Sequence, residues 1–166
     1  MAAKAIAIPM EEYMRTSYEY DAEWVDGEVV ERSLPNNAHA CVQHVIDHAL
    51  GNAEPLSRLY SRPGLRIRVA PDRWRIPDIA IFADQKPVGD YPSNVYAAIE
   101  ILSPQDAMSS VLDKFAEYEA MGIPHLWLAD PIHKLIQRYR DGSLISVDAI
   151  EFPDRGFRLT VQEIFA

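Results

Sequence analysis

The chain has 166 residues, 48% hydrophobic and 25% charged, the composition of an ordinary globular domain long enough to bury a core without staples. Its formal net charge of −9 excludes a surface that attracts nucleic acid everywhere, and no apolar run reaches the length of a membrane span. A lone cysteine, Cys41, and an opening MAAKAIAIPM without a signal-peptide pattern fit a reducing, cytoplasmic setting.

Residues 9 to 16 read as a short helix opened by Pro9, and AEWVDGEVVERS as two strands about Asp26–Gly27, a favourable tight-turn pair. Over 37 to 53, Val42, Val45, Ile46 and Ala49 recur at helical spacing, Gly51 marks the expected end, and Cys41 is expected to pack as a helical thiol. Strands are expected near 58 to 61, 65 to 70, 78 to 83 and 96 to 102. From 106 to 121, Val111, Leu112, Phe115 and Tyr118 form an apolar stripe that ends before Gly122. HLWLAD and KLIQRYR then read as strands around the turn DPIHK, with Trp127 and Leu128 in the core and Asp130 as a turn acid. GFRLTVQEIF closes the chain as a short strand and a helical turn. No repeat or linker divides the sequence, so a single domain is expected.

Two acids stand where charge is costly. Asp78 opens the strand DIAIF, and Glu100 lies inside YAAIEILSP. Strand alternation places Asp78, Ala80 and Phe82 on one face, and Tyr96, Ala98, Glu100 and Leu102 on one face of the next strand, so neighbouring strands can bring the acids together. Buried without partners they would cost several kcal/mol, so either arginines or a divalent cation must compensate. Positive charge is concentrated elsewhere: Arg58, Arg62, Arg66, Arg68, Arg73 and Arg75 face only Asp72 along one hairpin-like segment. That segment suits phosphates, the plainer alternative being solvated strands paired with distant acids.

Other chemistries find little support. His44 and His48 have the i,i+4 spacing that can hold zinc and share a helix with His39, but no HExxH or paired-cysteine pattern accompanies them. Ser103 lacks a GxSxG elbow, and the scattered glycines form neither a Walker nor a dinucleotide loop.

Pro77–Asp78 before a strand, an acid in the next strand and a nearby lysine resemble the PD-(D/E)XK restriction-endonuclease-like superfamily. The order EWVDGE, PDIAIF, IEILSP and DKFAEYEAMGIPHLWLADP is more closely similar to the Uma-two family of small bacterial restriction endonucleases, from about Met10 to Arg140. The resemblance implies an α/β restriction-endonuclease-like core, a mixed sheet flanked by helices, and phosphodiester hydrolysis with Mg²⁺ or Mn²⁺. It implies that Asp78 and Glu100 bind the metal, with Glu23 and the Ile101 backbone carbonyl beside them. Leu102 stands where the superfamily's lysine usually falls. The family pattern moves that role to Lys114, whose helical phase with Val111 and Tyr118 turns it toward the sheet. Lys114 would position or help deprotonate the attacking water and offset charge growing on the phosphate.

His39 is then a neighbour of the site without an assigned role. Arg62, Arg66, Arg68 and Arg75 are expected at the nucleic acid, DNA rather than RNA, and a homodimer would supply the surface a short chain lacks. The competing reading is a noncatalytic homo-oligomeric binding or scaffold protein that retains the fold. Hydrolysis requires the acids and Lys114 to share one pocket, with the oxygens not already neutralised by guanidinium groups.

Overall fold

In the computed structural model, which describes residues 6–166, the alternating apolar strands resolve into two large sheets and a small hairpin. The chain begins with β1 (Ile6–Ala7), α1 (Met10–Arg15), β2 (Ala22–Val25) and β3 (Glu28–Glu31). Strands β2 and β3 pair antiparallel about Asp26 and Gly27, whose φ values of 52° and 86° are the positive pair a tight hairpin turn demands.

Helix α2 (Asn37–Ser57) opens where the Asn36 side chain accepts the His39 amide, satisfying a donor the helix itself cannot. It runs past Gly51 and carries Pro55 in its last turn before Arg58 closes it in the left-handed region. Burial accounts for the extra turn. Val42, Ile46 and Leu50 pack on a sheet with Ala53 against them, and that stripe outweighs the weak helix preference of one exposed glycine. Cys41 faces the other way and is exposed, so the expected packing of its thiol is not found.

Next come β4 (Leu59–Pro63), β5 (Ile67–Ala70), β6 (Arg73–Arg75), β7 (Ile79–Ala83), β8 (Ala97–Ile101) and α3 (Met108–Met121). The remainder is β9 (His125–Asp130), β10 (Leu135–Arg140), β11 (Ser143–Val147), β12 (Ala149–Phe152), β13 (Phe157–Thr160) and α4 (Val161–Ile164). The central sheet has the order β11-β10-β9-β8-β7-β4, mixed because β8 and β9 are parallel while their neighbours pair antiparallel. Parallel neighbours need a crossover, and α3 supplies it. The second sheet, β1-β3-β2-β6-β5, is antiparallel throughout. The fold is the α/β arrangement of sheet and flanking helices that the sequence implied.

The arginine-rich segment does not form one hairpin. Strand β4 joins β7 in the central sheet, whereas β5 and β6 belong to the second sheet. Gly64, at φ 64°, turns the chain between them, its amide donating to the Asp78 carbonyl at 3.2 Å. Asp130 is the turn acid expected, its carboxylate accepting the Ile132 and His133 amides.

Alternation along the central strands divides the core. Ile79, Ile81, Ala97, Ile99 and Ile101 pack with Val42, Ile46 and Leu50 of α2 on one face, while Ala80, Phe82 and Ala98 meet Val111, Phe115 and Tyr118 of α3 on the other. Asp78 and Glu100 share the parity of the α3 face. The register Ile79↔Ile99 sets Asp78 beside the C-terminal end of β8, so the two acids converge under α3.

Candidate active site

Asp78 sits just before β7, where its side chain can turn across to the neighbouring strand. Its Oδ2 accepts the Ile101 amide at 2.7 Å, capping the end of the β7–β8 ladder. A strand residue's N–H and C=O point to the same side, so the Ile101 carbonyl lies on the Asp78 side too. The Asp78 carbonyl in turn accepts from Gln43 of α2 at 2.8 Å. Asp78 and Glu100 are 3% and 5% exposed, so neither charge is relieved by bulk water.

Lys114 reaches the same place from α3, one turn from Val111 and from Tyr118, as its helical phase required. Its Nζ lies 2.9 Å from Glu23 Oε1 and 3.8 Å from Glu100 Oε2. The Tyr118 hydroxyl donates to Glu100 Oε1 at 2.6 Å. Burial would push the lysine toward its neutral form, but Glu100 and Glu23 outweigh it and raise its pKa. An ammonium so held is an electrostatic group. It is poorly suited to removing a proton from water, one of the two roles the sequence suggested for it.

Glu23 is saturated. Its Oε1 accepts from Lys114 and from the Ile76 amide at 3.0 Å, and its Oε2 accepts from Arg75 at 2.9 Å. Burial opposes ionisation, yet Lys114, Arg75 and that amide hold the carboxyl below its ordinary range. Glu23, expected beside the metal, is thus turned to Lys114, the Ile76 amide and Arg75.

Arg75, expected at nucleic acid, is 9% exposed and turned inward between Glu23 and Glu117. Its Nε donates to Glu117 Oε2 at 2.7 Å, and Arg73 donates to Glu117 Oε1 at 2.6 Å. This network fastens β6 to α3. Arg66 lies 4.3 Å above the Tyr13 ring, Arg62 donates to its neighbour's carbonyl, and the exposed Arg68 donates to the Pro71 carbonyl.

Two residues close the site from the α2 side. His39, 5% exposed, places Nε2 3.3 Å from Asp78 Oδ1 and Nδ1 3.1 Å from Ser103 Oγ. Arg32, which sequence reasoning did not single out, donates to Asp78 Oδ1 at 2.5 Å. Burial disfavours the Asp78 charge, but His39, Arg32 and the Ile101 amide prevail and lower its pKa. The His44 and His48 rings stack on each other, their centroids 5.8 Å apart.

Glu100 is the exception. Burial, reinforced by repulsion from Asp78 and Glu23, raises its pKa to about 7 against the pull of Lys114 and Arg32. Its folded-state value exceeds its ordinary one, so ionising it costs stability as pH climbs from about 4.5 to about 7, and the cost is complete above that window. Without metal, Glu100→Gln should therefore gain on the order of 2 kcal/mol over the wild type at pH 8 and almost nothing at pH 4. Urea denaturation at both pH values checks this; an equal difference at the two would show that Glu100 does not titrate there.

Among the described residues, no three His, Cys, Asp or Glu side chains form a metal-ligating group. What the site offers is narrower: two hard carboxylates from adjacent strands and one backbone carbonyl. Among the described residues, Lys114 at 3.8 Å is the one cation within ion-pair distance of Glu100. That donor set fits a divalent cation in kind, provided Arg32 leaves Asp78.

A mixed sheet whose adjacent strands present buried carboxylates beneath a crossover-helix ammonium defines a restriction-endonuclease-like protein. The Uma2 family model, described as "Putative restriction endonuclease", matches residues 10–165, and the chain belongs to that family. A solved structure described as a "putative nuclease belonging to DUF820" from Anabaena variabilis ATCC 29413 superposes with a TM-score of 0.80. It is 20% identical, and the match covers 95% of this chain and 97% of that one, which shows a shared fold. No curated protein matches the sequence. Among the described residues, no helix is long and apolar enough to cross a membrane.

Proposed function

We propose that this chain is a divalent-metal-dependent nuclease that hydrolyses phosphodiester bonds, in DNA rather than RNA, with Asp78, Glu100 and the Ile101 carbonyl holding Mg²⁺ or Mn²⁺. The observation that carries the reading is the under-neutralised Glu100 carboxyl, buried beside Asp78 with Lys114 at 3.8 Å. When bound, the cation supplies Lewis-acid activation of the phosphate and a more acidic water. Lys114, kept charged by Glu23 and Glu100, faces the negative charge that grows on the phosphate, an effect larger in the transition state than in the substrate. Glu23 and Arg75 set where that ammonium stands. Asp78, fixed by the Ile101 amide, keeps its orientation without rearranging the sheet.

Arg62, Arg66 and Arg68 remain the phosphate contacts of this proposal, and Arg75 leaves that set. A homodimer would bring two such surfaces to a duplex. One observation favours the noncatalytic binding reading instead: the acids are not free of guanidinium groups as hydrolysis was expected to require, since Asp78 carries Arg32 and Glu23 carries Arg75, as structural acids would.

The test is cleavage of labelled single- and double-stranded DNA and RNA by the purified chain with Mn²⁺ or Mg²⁺ against chelator. Cutting that needs the cation, and that falls about a hundredfold in Lys114→Met with Mn²⁺ affinity retained, is the expected result. Absence of metal-dependent cutting above the mutant background on every substrate would leave the binding reading standing.

A further inference from the structure

Arg32 lies one residue beyond β3, where the regular hairpin pairing has ended and the side chain is free to cross toward β7. Its backbone is anchored, the amide donating to the Asp21 carbonyl at 2.9 Å. The guanidinium spans two acids of different character. NH2 meets the buried Asp78 Oδ1 at 2.5 Å, and NH1 lies 3.7 Å from Asp21, whose side chain is 67% exposed. The arginine side chain itself is 16% exposed, so it occupies the boundary between the carboxylates and solvent.

A carboxylate oxygen held by a guanidinium is a much weaker ligand for a divalent cation, because the two positive charges repel at contact distance. With the His39 ring 3.3 Å away, Asp78 Oδ1 has one further place for a cation, and the Arg32 guanidinium occupies it. We infer that Arg32 is the built-in counter-ion of the cation position, holding Asp78 ionised and aimed until a divalent cation displaces its guanidinium outward toward Asp21. This rests on the nuclease reading of the same site. Arg32 is thus a positioning residue whose removal leaves Asp78 with the His39 ring and the Ile101 amide but no guanidinium. The free energy of that less compensated buried charge is recovered when metal binds, so metal affinity rises as the arginine is lost.

Isothermal titration with Mn²⁺, without nucleic acid, separates the possibilities. Arg32→Gln is expected to bind Mn²⁺ about tenfold or more tightly than the wild type, and Asp78→Asn, the control for binding elsewhere, to lose the site. Should Arg32→Gln fail to fold, as judged by circular dichroism, Arg32→Lys carries the comparison. A lysine has a single charged point and cannot span both acids, so its Mn²⁺ affinity should also exceed that of the wild type. Wild-type binding that is equalled or weakened in the folded arginine variant overturns the displacement of Arg32 and leaves the nuclease proposal intact. No Mn²⁺ binding by either protein overturns both.

Discussion

Asp78→Asn is expected to lower metal-dependent phosphodiester cleavage by about a thousandfold while the protein stays folded. The asparagine is nearly isosteric and keeps an oxygen for the Ile101 amide, so the hydrogen bond that closes the β7–β8 ladder is preserved. What disappears is the charge. A neutral amide oxygen is a far weaker ligand for a hard divalent cation than a carboxylate, and losing a few kcal/mol of transition-state stabilisation corresponds to about that factor in rate. Arg32, left without its inner partner, can turn to Asp21 at the surface, which limits the damage to stability. Single-turnover cleavage at saturating Mn²⁺ measures the effect. A variant cutting within tenfold of the wild type would remove Asp78 from the metal set.

Arg75→Met is expected to destabilise the fold by about 3–5 kcal/mol, the largest loss predicted for any single change here. Methionine fills much of the same volume, so packing is largely kept and the loss is electrostatic. Glu23 Oε2, buried where water does not reach it, would lose its guanidinium partner, and the partly exposed Glu117 Oε2 would lose one as well. Chemical denaturation at neutral pH gives the number, and a change below about 1 kcal/mol would show that Lys114 and Arg73 alone satisfy the two acids. The same substitution in a phosphate-facing surface arginine would cost almost nothing in stability, so the measurement also tests whether Arg75 belongs to the interior or to a nucleic-acid interface.

The parts of the site governed by local periodicity were legible in the sequence. Strand parity gave Asp78 and Glu100 a face on their own strands, and helical phase turned Lys114, singled out by the family resemblance, toward the sheet, because both arguments need only a few neighbouring residues. The family resemblance supplied the connection between β8 and α3 that no periodicity carries. Arg32 was not legible: it follows a short strand in ERSLPNN, a stretch without pattern, and meets Asp78 across 46 positions. The inward placement of Arg75 was not legible for a related reason. RWR is too short to show which face is buried, and its partners, Glu23 and Glu117, come from elements 52 and 42 residues away. The division of the arginine-rich segment hung on the single turn at Gly64, which looks in sequence like the tip of one hairpin. Strands β11 and β12 were missed because SLISV and AIEF are brief and lie outside any pronounced alternation.

Helix α3 carries Lys114 over the carboxylates and, one turn later, Glu117 into the arginines of β6. The ammonium over the carboxylates and the tie from α3 to β6 therefore hang from the same turn of helix. A fluctuation that frays α3 there withdraws the amine and loosens that tie together, while Arg32 still joins the hairpin of β2 and β3 to Asp78. Amide exchange along 111–118 would accordingly slow or quicken in step with β6, two segments that behave as one latch.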